Sequence, residues 1–209
     1  MKYILSLGGS LIAPNDIDIP FLRKFRASLL SAVKKGHQFV IIPGGGQTCR
    51  RYQAAAKAVA KVRSQDLDWI GIATNKLHTE LLKAIFGPTK GIIVEVGGLK
   101  PGGTSDTTAV AFAKKYGVRN IINLTDVDGF YDRDPKKFRD AKRINSMTWS
   151  ELRHRFGSSR KPGRELPFDS AAAVAAEKLR VGVIILSGYN LNNLQNFLSG
   201  KSFRGTTIH

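Results

Sequence analysis

Four short runs, residues 3–7 (YILSL), 39–42 (FVII), 120–124 (NIINL) and 183–186 (VIIL), are apolar almost without interruption. A strand with one wet face alternates apolar and polar residues. Unbroken runs of this length instead predict strands buried on both faces, as in a parallel sheet covered by helices. A fifth run, residues 91–96 (GIIVEV), reads the same way.

The segments between these runs carry helical spacing. After Pro20, the apolar residues Phe21, Leu22, Phe25, Leu29, Leu30 and Val33 fall on one helix face, and Gly36 supplies a stop. Further helices are predicted over 48–62, about 66–86 (ended by Gly87 and Pro88), 107–116, 149–156, 170–179 and 191–198, with a closing strand at 205–208 (GTTI). Residues 126–143 are polar and turn-rich, and 157–164 (GSSRKPGR) read as a basic loop within a domain. Strand and helix alternate throughout with no internal repeat. The expectation is α/β: one domain over residues 1–209, a three-layer αβα sandwich with a mostly parallel central sheet.

Charge is the unusual bulk property, with 33 Lys and Arg against 16 Asp and Glu, a formal +17. The excess is spread along the chain. Its densest stretch, residues 132–164, has only the widely spaced Phe138, Trp149 and Phe156 and so lacks the regularly interleaved aromatics expected of a platform that stacks single-stranded nucleic acid. It reads as a solvated basic surface or as attraction for a small polyanion such as a nucleotide, and no specific nucleic-acid partner is expected. No apolar run approaches the roughly 20 residues that span a bilayer. The start, MKYILSLGGS, is too short in its apolar part for a secretory signal, so the cytoplasm is the expected compartment. The single cysteine, Cys49, excludes an internal disulfide framework and a cysteine-based zinc site.

Chemistry concentrates in three glycine loops: Gly8, Gly9 and Ser10 after the first apolar run, Gly44, Gly45 and Gly46 after the second, and PGGTSD (residues 101–106) after the third. In a parallel α/β sheet, ligands bind outside the carboxyl ends of the strands. Glycine lets the backbone approach them, and N–H groups at helix starts attract anions. One such loop serves equally well as a tight turn; three at one sheet edge suggest several phosphates. Only the third carries an acid, Asp106. None matches G-x-x-x-x-G-K-[ST] or G-x-G-x-x-G. Arg50 and Arg51, predicted on the first turn of the helix after the second loop, suit bidentate phosphate binding or simply an exposed helix face. Asp68, near a predicted helix start, reads as an N-cap or a ligand contact. The acidic turns around Asp126, Asp128 and Asp134 read as turns or as a metal site.

These motifs occur in a known order: LGGS, GGG with a downstream arginine, DWIGIATN, PGGTSD, NLTDVDGFYDRDPKK and a terminal GTTI. The chain resembles the amino acid kinase family over nearly its whole length, and within it the archaeal-type uridylate (UMP) kinases. The most specific piece is T-x-V-D-G-x-Y-x-x-D-P-K. The resemblance implies an ATP-dependent nucleoside monophosphate kinase. ATP and UMP would be its substrates, Mg²⁺ would arrive with ATP without a dedicated protein metal site, and a homo-oligomer, usually a hexamer, would form. It implies that Gly8, Gly9 and Ser10 hold the ATP phosphates, and that Asp126, Asp128, Gly129, Phe130, Tyr131, Asp134 and Lys136 frame the ATP nucleoside and phosphates. Gly44, Gly45, Gly46 and Arg50 would hold the UMP phosphate, and Asp68 would contact its nucleoside. Thr104 and Ser105 would touch the acceptor or transferring phosphate, with Asp106 organising the centre. The acceptor side would fall in residues 1 to about 115, the ATP side in about 116–209.

Two positions depart from the family pattern. Ser6 stands where many members have a lysine, and FDSAAAV puts Val174 where the family places a lysine near the transferring phosphate. Lys178 lies one helical turn beyond, either reaching back as a catalytic cation or simply solvated; Lys100 and the basic loop 157–164 are further candidates. The leading expectation is UMP kinase activity in pyrimidine nucleotide synthesis. The alternatives are an amino acid kinase with another small acceptor, and a nucleotide-binding homologue with weakened catalysis.

Overall fold

The apolar runs become strands whose successive residues enter two different cores. In the computed structural model, which describes residues 1–133, 135, 137–157 and 166–209, β1 (Lys2–Leu7) sends Ile4 to one side and Tyr3, Leu5 and Leu7 to the other. Strands β2 (Gln38–Pro43), β4 (Asn120–Thr125) and β8 (Gly182–Ser187) divide their side chains in the same way. β3 (Ile92–Val94) is a short edge strand, half the length expected, and its Ile93 is exposed.

Helices α2 (Ile19–Lys34), the C-terminal half of α4 (Ser64–Phe86) and α8 (Leu191–Leu198) cover one face of the sheet. Helices α5 (Ser105–Lys115), α6 (Trp149–Phe156) and α7 (Ser170–Lys178) cover the other. The short α1 (Gly9–Ile12) follows β1 directly, and α3 (Gly46–Val59) follows β2 and has no buried residue. The result is the three-layer αβα arrangement expected.

The strand order is β3-β2-β1-β4-β8-β9-β7, where β9 is Thr206–Ile208 and β7 is Ser146–Met147. The first five strands are mutually parallel, while β9 runs antiparallel to β8. The chain builds outward from β1 to β3, then returns to place β4 on the other flank of β1. That reversal is a topological switch point, the place where open α/β sheets bind ligands. The turn-rich segment after β4 contains structure that its composition hides: β5 (Phe130–Tyr131) pairs antiparallel with β6 (Arg143–Ile144). These strands of two residues are too short for a periodic signal.

Candidate active site

At the switch point the first two glycine loops pack backbone against backbone. A Cβ on Gly9 would collide with the Gly44 carbonyl oxygen, and one on Gly46 with the Gly9 carbonyl carbon and the Ser10 nitrogen. Gly46 also sits at φ +54, where side chains are strained. The Gly44 N–H donates to the Leu7 carbonyl at 2.9 Å and the Gly8 N–H to the Leu124 carbonyl at 2.8 Å, so both loops are tied to neighbouring strand ends. The first N–H groups of α3 have no intrahelical acceptor and are available to an anion. The third loop closes on the same edge: a Cβ on Gly44 would lie 3.3 Å from Ser105 Oγ, and one on Gly97 3.4 Å from the Ser105 Cα. Arg50 joins the first two loops, its Nη2 donating to Ser10 Oγ at 3.0 Å. Because α3 begins at Gly46, Arg50 and Arg51 lie beyond its first turn. Arg51 turns away to the Asn15 carbonyl, at 2.8 Å.

Asp106 stands at the start of α5, between β1 and α7. Its Oδ1 accepts from Ser6 Oγ at 3.2 Å and its Oδ2 from the Asp169 N–H at 3.1 Å. Desolvation by the surrounding protein pushes the carboxyl up to about 7, more than its two hydrogen bonds pull it down. Ser6 is paired in register with Asn123 on β4, and Asn123 Nδ2 donates to the Pro167 carbonyl at 2.6 Å. Two polar residues thus interrupt the apolar strands where the sheet faces the site. Thr104 caps α5 reciprocally with Thr107 and so shapes the third loop with its hydroxyl.

Helix α4 braces the second and third loops along one polar stripe. Asp68 Oδ2 accepts from the Gly102 N–H at 3.0 Å, Asn75 Nδ2 donates to the Gly97 carbonyl at 2.8 Å, and His78 Nδ1 bonds the Gly44 carbonyl at 2.8 Å. Asp68 is no N-cap, because α4 starts at Ser64 and its first turn is occupied by the Arg63–Asp66 pair. Asn75 closes the DWIGIATN motif with no role assigned to it and His78 lies outside it; the signal for them was their spacing of seven and ten residues from Asp68, which puts all three near one helix face.

Across the switch point, a cavity of about 340 Å³ is lined by Asp126, Asp128 and Tyr131 together with Ser187, Asn190, Asn193 and Arg204. Burial opposes ionisation of Asp128, but the Tyr131 hydroxyl at 2.6 Å and the Arg204 and Arg143 guanidiniums outweigh it and hold the carboxyl below its ordinary range. Asn193 clasps the Arg204 backbone from both sides, accepting from its N–H at 2.8 Å and donating to its carbonyl at 2.6 Å. Gly129 is needed at φ +148, since a Cβ there would strike Thr206 Oγ1. The GTTI motif thereby locks the DVDGFY loop, with Thr206 Oγ1 accepting from the Phe130 N–H at 2.8 Å.

Several expected site residues fall elsewhere. The Phe130 side chain is core, packed on Phe156 and buried, and Phe130 is not among the residues that line the cavity. Lys178 ends α7, whose other end touches Asp106; about 12 Å of helix axis separates Ser170 from it, more than a lysine side chain spans. That spacing favours the solvated reading of Lys178 over the catalytic one. Asp134, Lys136 and residues 158–165 lie outside the described residues. Among the described residues, no group of three or more His, Cys, Asp or Glu is placed to hold a metal ion. None of their helices is long and apolar enough to cross a membrane.

A parallel αβα sandwich that gathers three glycine loops at one switch point, with an acid among them and a cavity beside them, is suited to anionic ligands held by backbone N–H groups. The chain belongs to the amino acid kinase family, whose model matches residues 1–92 and 74–187. It is 32% identical to a uridylate kinase from Thermoplasma volcanium over 222 residues, covering 98% of this chain and 96% of that protein. A uridylate kinase from Methanospirillum hungatei is 31% identical, covering 98% and 93%. Among solved structures, a uridylate kinase from Archaeoglobus fulgidus superposes over 100% of both chains with a TM-score of 0.83 at 26% identity.

Proposed function

We propose that the protein is a UMP kinase that transfers the γ-phosphoryl group of ATP in line to UMP, giving UDP and ADP. The observation that carries this reading is the backbone contact between the first and second glycine loops, bridged by Arg50 at Ser10. Two loops so close hold two phosphate groups at reacting distance. Full-length relatives that are uridylate kinases support the choice of acceptor.

In this reading a UMP phosphate oxygen attacks the γ-phosphorus, and the bond to the bridging oxygen breaks to release ADP. Nucleophile and leaving group are both phosphates, so the protein's task is to hold anions in line and offset their charge. The backbone N–H groups of residues 8–10 take the donor phosphates, and those at the start of α3, with Arg50, take the UMP phosphate. Asp68 keeps Oδ1 for the acceptor nucleoside, and Ser105 faces the transferring group. Asp106 orients the N–H groups at the start of α7 and the Ser6 hydroxyl around it. The cavity at Asp126, Tyr131 and Asn190 takes the ATP nucleoside. Mg²⁺ enters as part of the ATP substrate and supplies charge neutralisation on its phosphates. The acceptor side occupies residues 1 to about 115 and the donor nucleoside side about 116–209, with the cytoplasm as the compartment.

Assembly into a homo-oligomer, a hexamer by resemblance, is supported by α3, which has no fully buried residue within one chain and exposes Tyr52, and by exposed Trp69 and Leu77 on α4. The test is ADP release with MgATP and a panel of nucleoside monophosphates, carbamate and acetylglutamate, with light scattering on the same preparation. Turnover confined to UMP is expected. Turnover with carbamate or acetylglutamate in its place refutes the acceptor, and a monomer at assay concentration refutes the assembly.

A further inference from the structure

A buried polar side chain against the acceptor loop has no part in the reaction described above. His78 is 1% exposed and bonds the Gly44 carbonyl through Nδ1 at 2.8 Å. A carbonyl only accepts, so Nδ1 carries the hydrogen. Burial lowers the pKa of the imidazole against the opposing pull of the Gly44 bond, which keeps the ring neutral at physiological pH. Charge attraction is therefore not its contribution.

The consequence lies in the peptide it grips. Gly44 is held at its N–H by the Leu7 carbonyl and at its C=O by His78. The Gly44–Gly45 peptide is planar and trans, so the Gly45 N–H points opposite to the Gly44 carbonyl, away from His78. Flanked by two glycines, that peptide has no Cβ to hold its orientation, which is left to the packing of Gly9 against it and to the His78 bond. Turning it over would aim a carbonyl, instead of an N–H, at whatever anion the second loop holds.

We infer that His78 is a positioning residue for the acceptor phosphate: its bond to Gly44 fixes the Gly44–Gly45 peptide with the N–H toward the ligand. The inference rests on the reading of the second loop as the UMP phosphate site. His78 acts through the loop and does not touch the substrate. Asn75 secures the neighbouring third loop from the same helix face through Gly97, which leaves the second loop as the part that depends on His78.

The experiment compares wild type with His78→Leu and His78→Asn. Asparagine places Nδ2 as many bonds from the backbone as Nδ1 of histidine, so it can restore the donor, whereas leucine fills the space without one. With His78→Leu the UMP KM should rise by about ten-fold or more while the ATP KM stays within about two-fold; His78→Asn should return the UMP KM to within about three-fold of wild type. A leucine variant with equal rises in both KM values, or an asparagine variant as poor as leucine, overturns the inference. If His78→Leu does not fold, His78→Asn against His78→Ala gives the same contrast. Wild-type turnover of UMP with no change in UMP KM sinks the inference and leaves the proposed function standing. Wild type with no UMP turnover sinks the proposed function, and calorimetric UMP affinity then decides: loss in His78→Leu with rescue in His78→Asn supports the inference, and anything else overturns it.

Discussion

Replacing Asp106 with asparagine should make the protein more stable and less active, with a stability gain that grows with pH. Asp106 accepts from Ser6 Oγ and the Asp169 N–H, and no ion pair reaches it among the described residues. Burial moves its carboxyl from 3.8 to about 7. Between those values the folded chain keeps a proton that the unfolded chain has released, so stability falls as pH rises through that window. The whole span corresponds to about 4 kcal/mol at about 1.4 kcal/mol per pH unit. Asp106 retains some exposure, and screening reduces the expectation to about 2 kcal/mol. Asparagine removes that penalty, since Oδ1 can accept from the Asp169 N–H and Nδ2 can donate to Ser6 Oγ. Urea unfolding without nucleotide or Mg²⁺ should give Asp106→Asn an advantage of about 2 kcal/mol at pH 8, near 4–8 °C in Tm, shrinking to a fraction of that at pH 4.5. Turnover at pH 8 should fall steeply. An advantage that does not vary with pH, or a variant less stable at pH 8, would refute the reasoning.

Two further substitutions test smaller points. Lys178→Ala should leave kcat within about two-fold in a steady-state assay, because α7 carries Lys178 away from Asp106; a large fall would restore it as the catalytic cation. Arg180→Gly should raise stability by about 1 kcal/mol, read as a Tm gain of about 2–4 °C, because Arg180 closes α7 at φ 52, a conformation that favours glycine. A lower Tm would mean that the arginine side chain contributes more than its backbone strain removes.

The layers of the fold were legible because burial on both faces leaves a direct trace in composition, as at residues 39–42 and 183–186. The hairpin of β5 and β6 left none, since its two-residue strands are held by register with each other and by Thr206, 76 residues from Phe130. Site residues divided along the same line. The glycine loops were visible because close backbone approach demands glycine in the sequence itself. Arg204 and Asn193 were not, because the contact of Arg204 with Asp128, and of Asn193 with the Arg204 backbone, depends on β9 folding back beside β8. Phe130 shows a related limit: a motif position specifies that a residue matters, and here its side chain serves the core while its backbone serves the loop.

Ser6 and Asn123 connect these observations to the chemistry. Each breaks an otherwise apolar strand, they are partners in register, and both occur where β1 and β4 part at the switch point. A polar side chain there must be paired or pay desolvation, and each is paired with what surrounds the proposed transfer site: Ser6 with Asp106, Asn123 with the Pro167 carbonyl just before α7. With valine at 174 and Lys178 on the far end of its helix, the described residues around the transferring group offer backbone N–H groups, hydroxyls and Arg50. A site of that composition depends on where its dipoles point more than on a placed positive charge. It is therefore most sensitive to what fixes peptide orientation, namely the Asp106 bond to the Asp169 N–H and the His78 bond to the Gly44 carbonyl.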